Sequence, residues 1–434
     1  DSKVLRRALT SLFQPDVEID EEEIFYLHRV KDGRDIYFLV NTSWKAKDTR
    51  LRLYCEGSPQ RWNPQDGSIE PIYHHKPIDG GLEMPLRLEA LESTLIVMVP
   101  KGKADIVVTQ ANVCVEAIKK GEIIASGRPA REASINILAS GEEESLSAPA
   151  GNLLPELTID EWQLKPEDDN GLVLSDWQLQ VEGEEAAGWV PVRPGIWEPQ
   201  FPYERKSASY PVLLRYQARF DCQYLPKKLR LLLDGLRGSY EIRLNGKLVK
   251  GRTRRSKLDV NIRELPISDY LKKGENLLEI SIRTDSPSGG LLDPARLVGD
   301  FSLQRERELP TIIEPVVEAA VGSLVNQGYP YFSGTMTYRA ELQLPKEYLK
   351  DRKLVLEMNC GTDTMEVQVN GKTAGTRPWA PYRVEITSLA KTGKNRIIFK
   401  ITNTVTNLLE GNALDFGLLE PVKLVAYNRY RFPT

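Results

Sequence analysis

The sequence predicts an all-β protein made of tandem β-sandwich domains that follow a short N-terminal helix. Apolar residues alternate with other residues over short runs, which is typical of strands that bury one face. The 31 glycines and 28 prolines divide the chain into many such runs, and one unit of the sequence occurs twice. At about 100–200 residues per domain, a chain of 434 residues is expected to form three domains.

The first predicted element is the helix. Its apolar residues recur at helical spacing: Val4, Leu5, Ala8, Leu9 and Leu12. A short amphipathic helix is only marginally stable without a surface to pack on. We therefore assign residues 1–20 to a helix and linker that remain from a preceding domain.

Residues 21–154 are predicted to form the first β-sandwich. Strand-like alternation begins at Ile24, and turn chemistry at residues 31–34 predicts a β-hairpin. Residues 139–154 are rich in Ser, Glu, Ala and Gly and are interpreted as a linker. Beyond it, residues 313–324 are one of few segments compatible with a helix.

An internal repeat organises the rest of the chain. Residues 240–247 correspond to residues 365–372, about 125 positions later, and the match extends in order over about 80 residues. In both copies an Asn-Gly pair, at Asn245 and at Asn370, lies between alternating apolar residues, which predicts a type I′ hairpin.

A unit of this length is too long for a solenoid and fits a whole β-sandwich. Residues 155–310 are assigned to the first repeat and residues 311–434 to the second.

Charge and composition exclude two classes of partner. The 58 basic and 61 acidic side chains nearly cancel, and the densest basic run, residues 250–257, is short enough to be a solvated loop. No apolar run is long enough for a membrane helix. We expect neither nucleic acid nor a membrane as a partner.

The four cysteines lie far apart, so no short metal-ligand spacing exists, and each is interpreted as a small buried hydrophobe. The compartment stays open, with a preference for an extracellular or periplasmic location.

The second repeat contains four segments, at residues 338–340, 367–375, 380–387 and 393–395. They resemble consecutive strands of the galactose-binding-like jelly roll, the sugar-binding-domain type of the family 2 glycoside hydrolases. Further segments occur at residues 28–29, 35–43, 62–67, 328–335 and 403–404. These resemble more closely the C-terminal β-rich region of the family 106 glycoside hydrolases, the α-L-rhamnosidase type.

The resemblance implies a non-catalytic ancillary region that braces a catalytic barrel of the same protein and contacts carbohydrate. In that family the catalytic carboxylates lie in the preceding barrel, so no catalytic residue is assigned here. Two alternatives stay open: a freestanding tandem carbohydrate-binding protein that gains avidity from duplication, and a complete glycosidase with a site between β-domains. The expected partners are an oligo- or polysaccharide and the upstream catalytic domain.

No cofactor is required by this interpretation. Jelly rolls of this type often hold a structural Ca²⁺ through loop carbonyls and one carboxylate, and such carbonyl ligands leave little sequence trace. Asp176 and Asp293 are the candidate carboxylates.

Sugar recognition needs flat aromatic faces for the C–H side of a pyranose ring and planar polar groups for its hydroxyls. Arg377, Trp379 and Tyr382 supply this combination within six residues, and Pro378 and Pro381 stiffen the segment. We assign these three residues to carbohydrate binding. The competing interpretation is that the aromatic rings pack on the sandwich edge.

Other candidates are weaker. Trp197 and Tyr203 lie beside prolines and form a second aromatic pair for carbohydrate. His28 follows an apolar strand and is either a contact to the preceding barrel or an ordinary capped or buried histidine at the strand end. His74 and His75 are interpreted as surface residues. With only three histidines and no G-x-S-x-G sequence, a histidine-based catalytic triad is not expected.

Overall fold

The computed structural model describes residues 15–100, 106–184, 187–201, 210–304 and 307–434. These residues form antiparallel sheets of short strands, which confirms the predicted all-β class. The predicted helix at the N-terminus falls largely outside the described residues. From Val17 the chain already forms a strand, so residues 17–19 belong to the first sandwich and not to a linker.

The N-terminal sandwich contains strands β1 to β9. Their bounds are β1 (Val17–Ile19), β2 (Ile24–Lys31), β3 (Arg34–Asn41), β4 (Lys47–Leu53), β5 (Ser58–Trp62), β6 (Ile69–Pro71), β7 (Lys76–Ile78), β8 (Gly81–Leu88) and β9 (Ser93–Val99). One sheet has the order β1-β4-β8-β7 and the other β2-β3-β9-β5-β6. The predicted hairpin forms between β2 and β3, because Asp32 and Gly33 adopt the positive φ angles of a type I′ turn.

A separate small unit follows. Its strands are β10 (Ile106–Ala111), β11 (Cys114–Lys119), β12 (Glu122–Gly127), β13 (Glu132–Ala139) and β14 (Glu142–Pro149). The prediction of a linker at residues 139–154 is wrong for β14, which pairs with β13 along its whole length. Ser140 and Gly141 adopt positive φ and form a tight turn, and Leu146 and Ala148 pack on the core of this unit.

The first repeat extends from β17 to β31. Two strands precede it, β15 (Leu157–Ile159) and β16 (Glu161–Pro166). Its own strands are β17 (Asn170–Leu174), β18 (Trp177–Val181), β19 (Val190–Val192), β20 (Val212–Cys222), β21 (Arg230–Leu233), β22 (Leu236–Arg237), β23 (Ser239–Leu244), β24 (Lys247–Leu248), β25 (Arg254–Arg255), β26 (Arg263–Pro266), β27 (Gly274–Thr284), β28 (Gly290–Leu291), β29 (Ala295–Gly299), β30 (Ser302–Gln304) and β31 (Thr311–Ile313). Its sheets have the orders β17-β29-β21-β26-β25 and β19-β18-β20-β27-β23-β24.

The second repeat is completed by the C-terminal strands. These are β32 (Glu318–Ala320), β33 (Thr335–Leu344), β34 (Arg352–Glu357), β35 (Thr364–Val369), β36 (Lys372–Arg377), β37 (Arg383–Glu385), β38 (Gly393–Thr402) and β39 (Val422–Pro433). A short helix, α1 (Thr406–Leu409), precedes β39, and short 3-10 turns occur at Glu198–Gln200, Ser268–Tyr270, Leu324–Gln327 and Lys346–Tyr348. Residues 313–324, which are compatible with a helix by sequence, instead contain β32 and extended backbone.

The two repeats share one strand order. In the second repeat the sheet β32-β16-β33-β38-β35-β36 matches β19-β18-β20-β27-β23-β24 of the first, strand for strand. The facing path β39-β34-β37, with β15 beside β39, matches β29-β21-β26, with β17 beside β29. The duplication seen in the sequence is therefore a duplication of topology.

The repeats are nested and not consecutive. Strands β15 and β16 lie within residues 155–310 but pair with β39 and β33 of the second repeat, whereas β31 pairs with β20 of the first. The predicted bounds of 155–310 and 311–434 are therefore wrong at both ends. The first repeat is inserted between β16 and β32, whose pairing brings the two ends of the insertion together through a 2.7 Å hydrogen bond from the Leu164 amide to the Val317 carbonyl.

Strand β39 also joins the small unit to the second repeat. It pairs with β34 on one side and β12 on the other, and its Tyr430 and Phe432 fill the core of the small unit. Residues 21–154 consequently do not form one sandwich as predicted. The core of β1 to β9 is self-contained, whereas the small unit is completed by the last strand of the chain.

The four cysteines are free thiols. Cys222 and Cys360 are buried as predicted and Cys55 is half-buried. Cys114 is exposed because it lies on β11, the edge strand of its sheet, so the prediction of a buried residue is wrong there.

Both hairpins predicted at Asn-Gly form, with positive φ at Asn245 and Asn370. In each, the hairpin asparagine donates to the side-chain oxygen of a buried asparagine, Asn276 at 2.8 Å and Asn395 at 2.9 Å. The buried amide then holds the loop before its strand: Asn276 bonds the Lys272 backbone at both N and O. The second copy repeats the arrangement with Lys391.

We expect Asn276→Ala and Asn395→Ala to destabilise their repeats similarly, each by about 2–4 kcal/mol, since each leaves several buried backbone groups without partners. Chemical denaturation measures both, with exposed Asn261→Ala as a control that changes stability by under ~0.5 kcal/mol. A loss confined to one repeat would contradict the structural equivalence of the two networks.

Candidate functional site

A cleft lies between the N-terminal sandwich and the second repeat. One wall is formed by β5, the turn between β5 and β6, and the start of β9, and the other by residues 377–383 between β36 and β37. Its volume is about 190 Å³, smaller than the roughly 300–1,000 Å³ of sites for drug-sized ligands. The space suits a single small ring.

The turn of the first wall is fixed by its own polar side chains. The Asn63 side-chain oxygen accepts the Gln65 amide at 2.9 Å, and the Asp66 carboxylate accepts the Ser68 amide at 2.9 Å. Such Asx interactions hold a tight loop in one conformation. The loop presents Gln65, whose side-chain amide donates to the Trp379 carbonyl at 3.1 Å and links the two walls.

The second wall carries two of the three residues predicted for carbohydrate. Trp379 is 42% exposed and Arg377 is half-buried, and both line the cleft. Tyr382 does not, because it is 4% exposed and packs in the core of the second repeat. Its hydroxyl donates to the Asp363 carbonyl at 2.5 Å, so Tyr382 holds the loop from beneath and its assignment as a ligand contact is wrong.

The second predicted aromatic pair does not contribute to the cleft. Trp197 is 1% exposed and lies in the core of the first repeat, where its ring meets Phe201 edge-on at 6.3 Å between centroids. A large aromatic residue beside prolines here fills a core and is not a ligand contact. Tyr203 lies outside the described residues.

Sequence reasoning missed most of the first wall. Arg61, Trp62 and Glu92 line the cleft, together with Arg383 on the second wall. The Trp62 ring is half-buried, with the Arg34 guanidinium 5.9 Å from its centroid. The only local signal for this wall was the polar turn after Trp62, and nothing in it indicated the distant partner loop.

The two arginines of the second wall differ in whether a carboxylate neutralises them. Arg383 donates to the Glu357 carboxylate at 2.7 Å. The Arg377 guanidinium instead donates to two backbone carbonyls, those of Arg383 and Thr376, at 2.9 Å each. Burial lowers the pKa of Arg377, and nearby Asp66 partly offsets that effect.

Glu92 is the carboxylate with a perturbed environment in the cleft. Burial raises its pKa, whereas the Glu89 backbone amide, which donates to it at 2.7 Å, and the charges of Arg61 and Arg383 oppose the rise. A carboxyl group in this setting takes up a proton more readily than an exposed one and can then donate a hydrogen bond.

His28 is a structural residue of the N-terminal sandwich. Its two ring nitrogens face the carboxylates of Asp16, at 2.5 Å, and Asp35, at 2.9 Å, and its ring stacks on Tyr37 with centroids 4.3 Å apart. Both nitrogens are thus engaged within the domain. His74 and His75 are half-buried, contrary to their assignment to the surface, and burial lowers the pKa of each.

The calcium candidates give little support for a metal site. The Asp293 carboxylate lies 3.3 Å from the Arg296 guanidinium, which already supplies the positive charge that a cation would bring. Within the described ranges, no group of three or more His, Cys, Asp and Glu side chains could hold a metal ion. A Ca²⁺ held by loop carbonyls and a single carboxylate, at Asp176 or Asp293, needs no such group and stays a prediction.

The known proteins to which this chain is similar include carbohydrate-active enzymes. No protein-family model matches the chain. The chain is 22% identical over 472 aligned residues to a Formosa agariphila protein named "Putative beta-glucuronidase", and the match covers 92% of the chain and 38% of that protein. The chain therefore spans well under half the length of this curated relative.

Solved structures with similar segments also include glycoside hydrolases. A rhamnosidase from Novosphingobium sp. PP1Y matches with 17% identity and a TM-score of 0.41, over 97% of this chain and 26% of that one. A β-glucuronidase from Ruminococcus gnavus matches with 12% identity and a TM-score of 0.26, over 62% of this chain and 45% of that one.

Among the helices in the described part of the chain, none has the length and apolar character needed to cross a membrane.

Proposed function

We propose that this chain is a non-catalytic, carbohydrate-binding region of a larger glycoside hydrolase, and that the cleft between the N-terminal sandwich and the second repeat is its sugar site. The observation that carries the proposal is Trp379, an exposed ring on a loop braced by Tyr382, which lines a ring-sized cleft together with arginine side chains of both walls. The apolar face of a pyranose stacks on such a ring, and guanidinium groups bond its hydroxyls.

The larger protein is proposed to be of the α-L-rhamnosidase type, with jelly-roll domains of the galactose-binding-like kind. The resemblance of residues 62–67 and 328–335 supports this assignment. The relative that aligns with 92% of this chain is named as a β-glucuronidase, which supports a carbohydrate-active parent but favours a different sugar. The duplicated sandwiches then brace a catalytic domain encoded elsewhere in that protein.

Trp379→Ala tests the sugar site. We expect the intact chain to bind its saccharide weakly, with a Kd on the order of 1 mM, and the variant to lose that binding by at least about tenfold, because the stacking face is gone. Calorimetric titration measures the change. Trp189→Ala, which removes a ring of matched exposure, 40% against 42%, serves as the control.

The competing structural role of Trp379 gives a different result. If the ring only packs on the loop, Trp379→Ala lowers the melting temperature and leaves saccharide binding unchanged. That outcome would contradict the proposed site.

The absence of catalysis is tested separately. Glycosidases need two carboxylates about 5–10 Å apart, one protonated and one ionised. We expect the chain to release no chromophore from aryl α-L-rhamnosides or aryl β-glucuronides above the buffer rate. Turnover that is abolished by Glu92→Gln would instead make the cleft an active site between β-domains.

A further inference from the structure

The cleft is richer in arginine than a neutral sugar requires. Arg61, Arg377 and Arg383 line it, together with the carboxylates of Glu70 and Glu92. The three arginines differ in the partners that they bind within the protein, and this difference indicates which positive charges are available to a ligand.

Arg383 is neutralised within the second repeat. One of its terminal nitrogens donates to the Glu357 carboxylate at 2.7 Å and to the Tyr427 hydroxyl at 2.8 Å. Tyr427 donates to the same carboxylate at 2.9 Å, which closes the network. Arg383 therefore shapes the cleft without offering an uncompensated charge.

Arg377 has no such partner. Both of its acceptors are neutral backbone carbonyls, and no carboxylate oxygen of the described residues lies within 4 Å of its guanidinium. A half-buried cation that bonds only neutral groups has lost part of its hydration without gaining a counter-ion, and an anionic ligand group would supply one.

Arg61 is the second available cation. It is exposed on β5, on the opposite wall, and forms no ion pair within 4 Å with a carboxylate of the described residues. The two guanidinium groups thus belong to different domains and face one cleft.

The carboxylates in the cleft and beside it compensate the positive charge of Arg61 and Arg377 only in part. Asp66 bonds the Ser68 amide and acts on Arg377 from outside the ion-pair distance. Glu92 is held by the Glu89 amide, and burial favours its neutral form. Glu70 is exposed on β6, where water screens it.

We propose that the cleft selects a sugar that carries an anionic substituent, a uronate carboxylate or a sulfate ester, which Arg61 and Arg377 bind while the ring stacks on Trp379. This inference rests on the proposed function. It specifies that the ligand is anionic and that the two arginines come from different domains.

Matched pairs of sugars test the inference at pH 7. D-Glucose is compared with D-glucuronate and D-galactose with D-galacturonate, and the 6-sulfate of each neutral sugar distinguishes sulfate from carboxylate recognition. Each is titrated into the intact chain by calorimetry. We expect at least one anionic member to bind about tenfold or more tightly than its neutral partner, and added NaCl to weaken only that member.

Two variants connect the preference to the arginines. Arg377→Gln and Arg61→Gln should each reduce the preference for the anion to under about threefold, because each weakens binding of the anionic member more than binding of its neutral partner. Arg131→Gln, an exposed arginine of the small unit, should retain it. Arg61 forms no ion pair in the described chain, so its variant reports on binding even if Arg377→Gln loosens the loop.

The outcomes separate the two proposals. Equal affinity for neutral and anionic members, or a preference that survives both arginine variants, overturns this inference and leaves the sugar site standing. If no member binds, the proposed function fails as well.

Discussion

Replacement of Arg296 by methionine is expected to lower the free energy of unfolding by about 3–5 kcal/mol. Arg296 is 1% exposed on β29 of the first repeat. Its guanidinium donates to the Leu408 carbonyl at 2.9 Å, to the Leu409 carbonyl, and to the Pro294 carbonyl at 2.8 Å. Methionine fills similar volume but leaves these buried carbonyls without donors.

This arginine joins the two repeats, since Leu408 and Leu409 end helix α1 of the second. Leu408 also packs with Leu232, Ile262 and Val298 of the first. Chemical denaturation measures the loss. Arg283→Met is the control, because Arg283 is half-exposed and its ion pair with Glu182 is loose, at 3.7 Å; it should change stability by less than ~1 kcal/mol. A loss below ~1 kcal/mol for Arg296→Met would mean that the repeats do not depend on this contact.

Asp363→Asn is expected to remove a large pH dependence of stability. Asp363 is 5% exposed, and burial raises its pKa from 3.8 to about 7 despite a hydrogen bond from the Gly417 amide. The folded state therefore holds the proton more tightly than the unfolded state. Stability from this group is complete below about pH 4, falls as the pH rises towards about 7, and is constant above that.

A shift of about three pKa units corresponds to roughly 4 kcal/mol. Between pH 4 and pH 8 the native chain should lose about that much stability relative to Asp363→Asn, whose amide oxygen can still accept the Gly417 hydrogen bond. Chemical denaturation across this range measures the difference. The exposed Asp285→Asn variant should follow the native chain, and parallel pH profiles for native and Asp363→Asn proteins would contradict the buried, protonated carboxyl.

Local sequence chemistry predicted the local structure well. The Asn-Gly hairpins at Asn245 and Asn370 form because the two-residue turn requires positive φ, which these residues tolerate. The all-β class follows in the same way from short alternating runs. The charged stretch before Leu146 concealed β14, because one face of that strand is solvated and only alternate residues pack.

The sequence did not predict which strands pair over long distances along the chain. The nesting of the first repeat depends on β15 and β16 pairing with strands that follow the entire insertion, and no turn signal marks such a crossing. The candidate site was likewise predicted only where its residues are close together in the sequence. Trp379 and Arg377 stand out because prolines frame them, whereas Arg61 and Glu92 join them only through a domain contact across some three hundred residues.

The indole N–H resonances test the binding of saccharide beside Trp379 most directly. The chain has seven tryptophans, and each contributes one such signal, assignable by Trp→Phe variants. On titration with the tightest-binding sugar of the panel, the signals of Trp379 and Trp62 should shift and those of exposed Trp44 and Trp189 should not. Shifts confined to Trp44 or Trp189, with Trp379 unchanged at saturation, would contradict a sugar site beside Trp379.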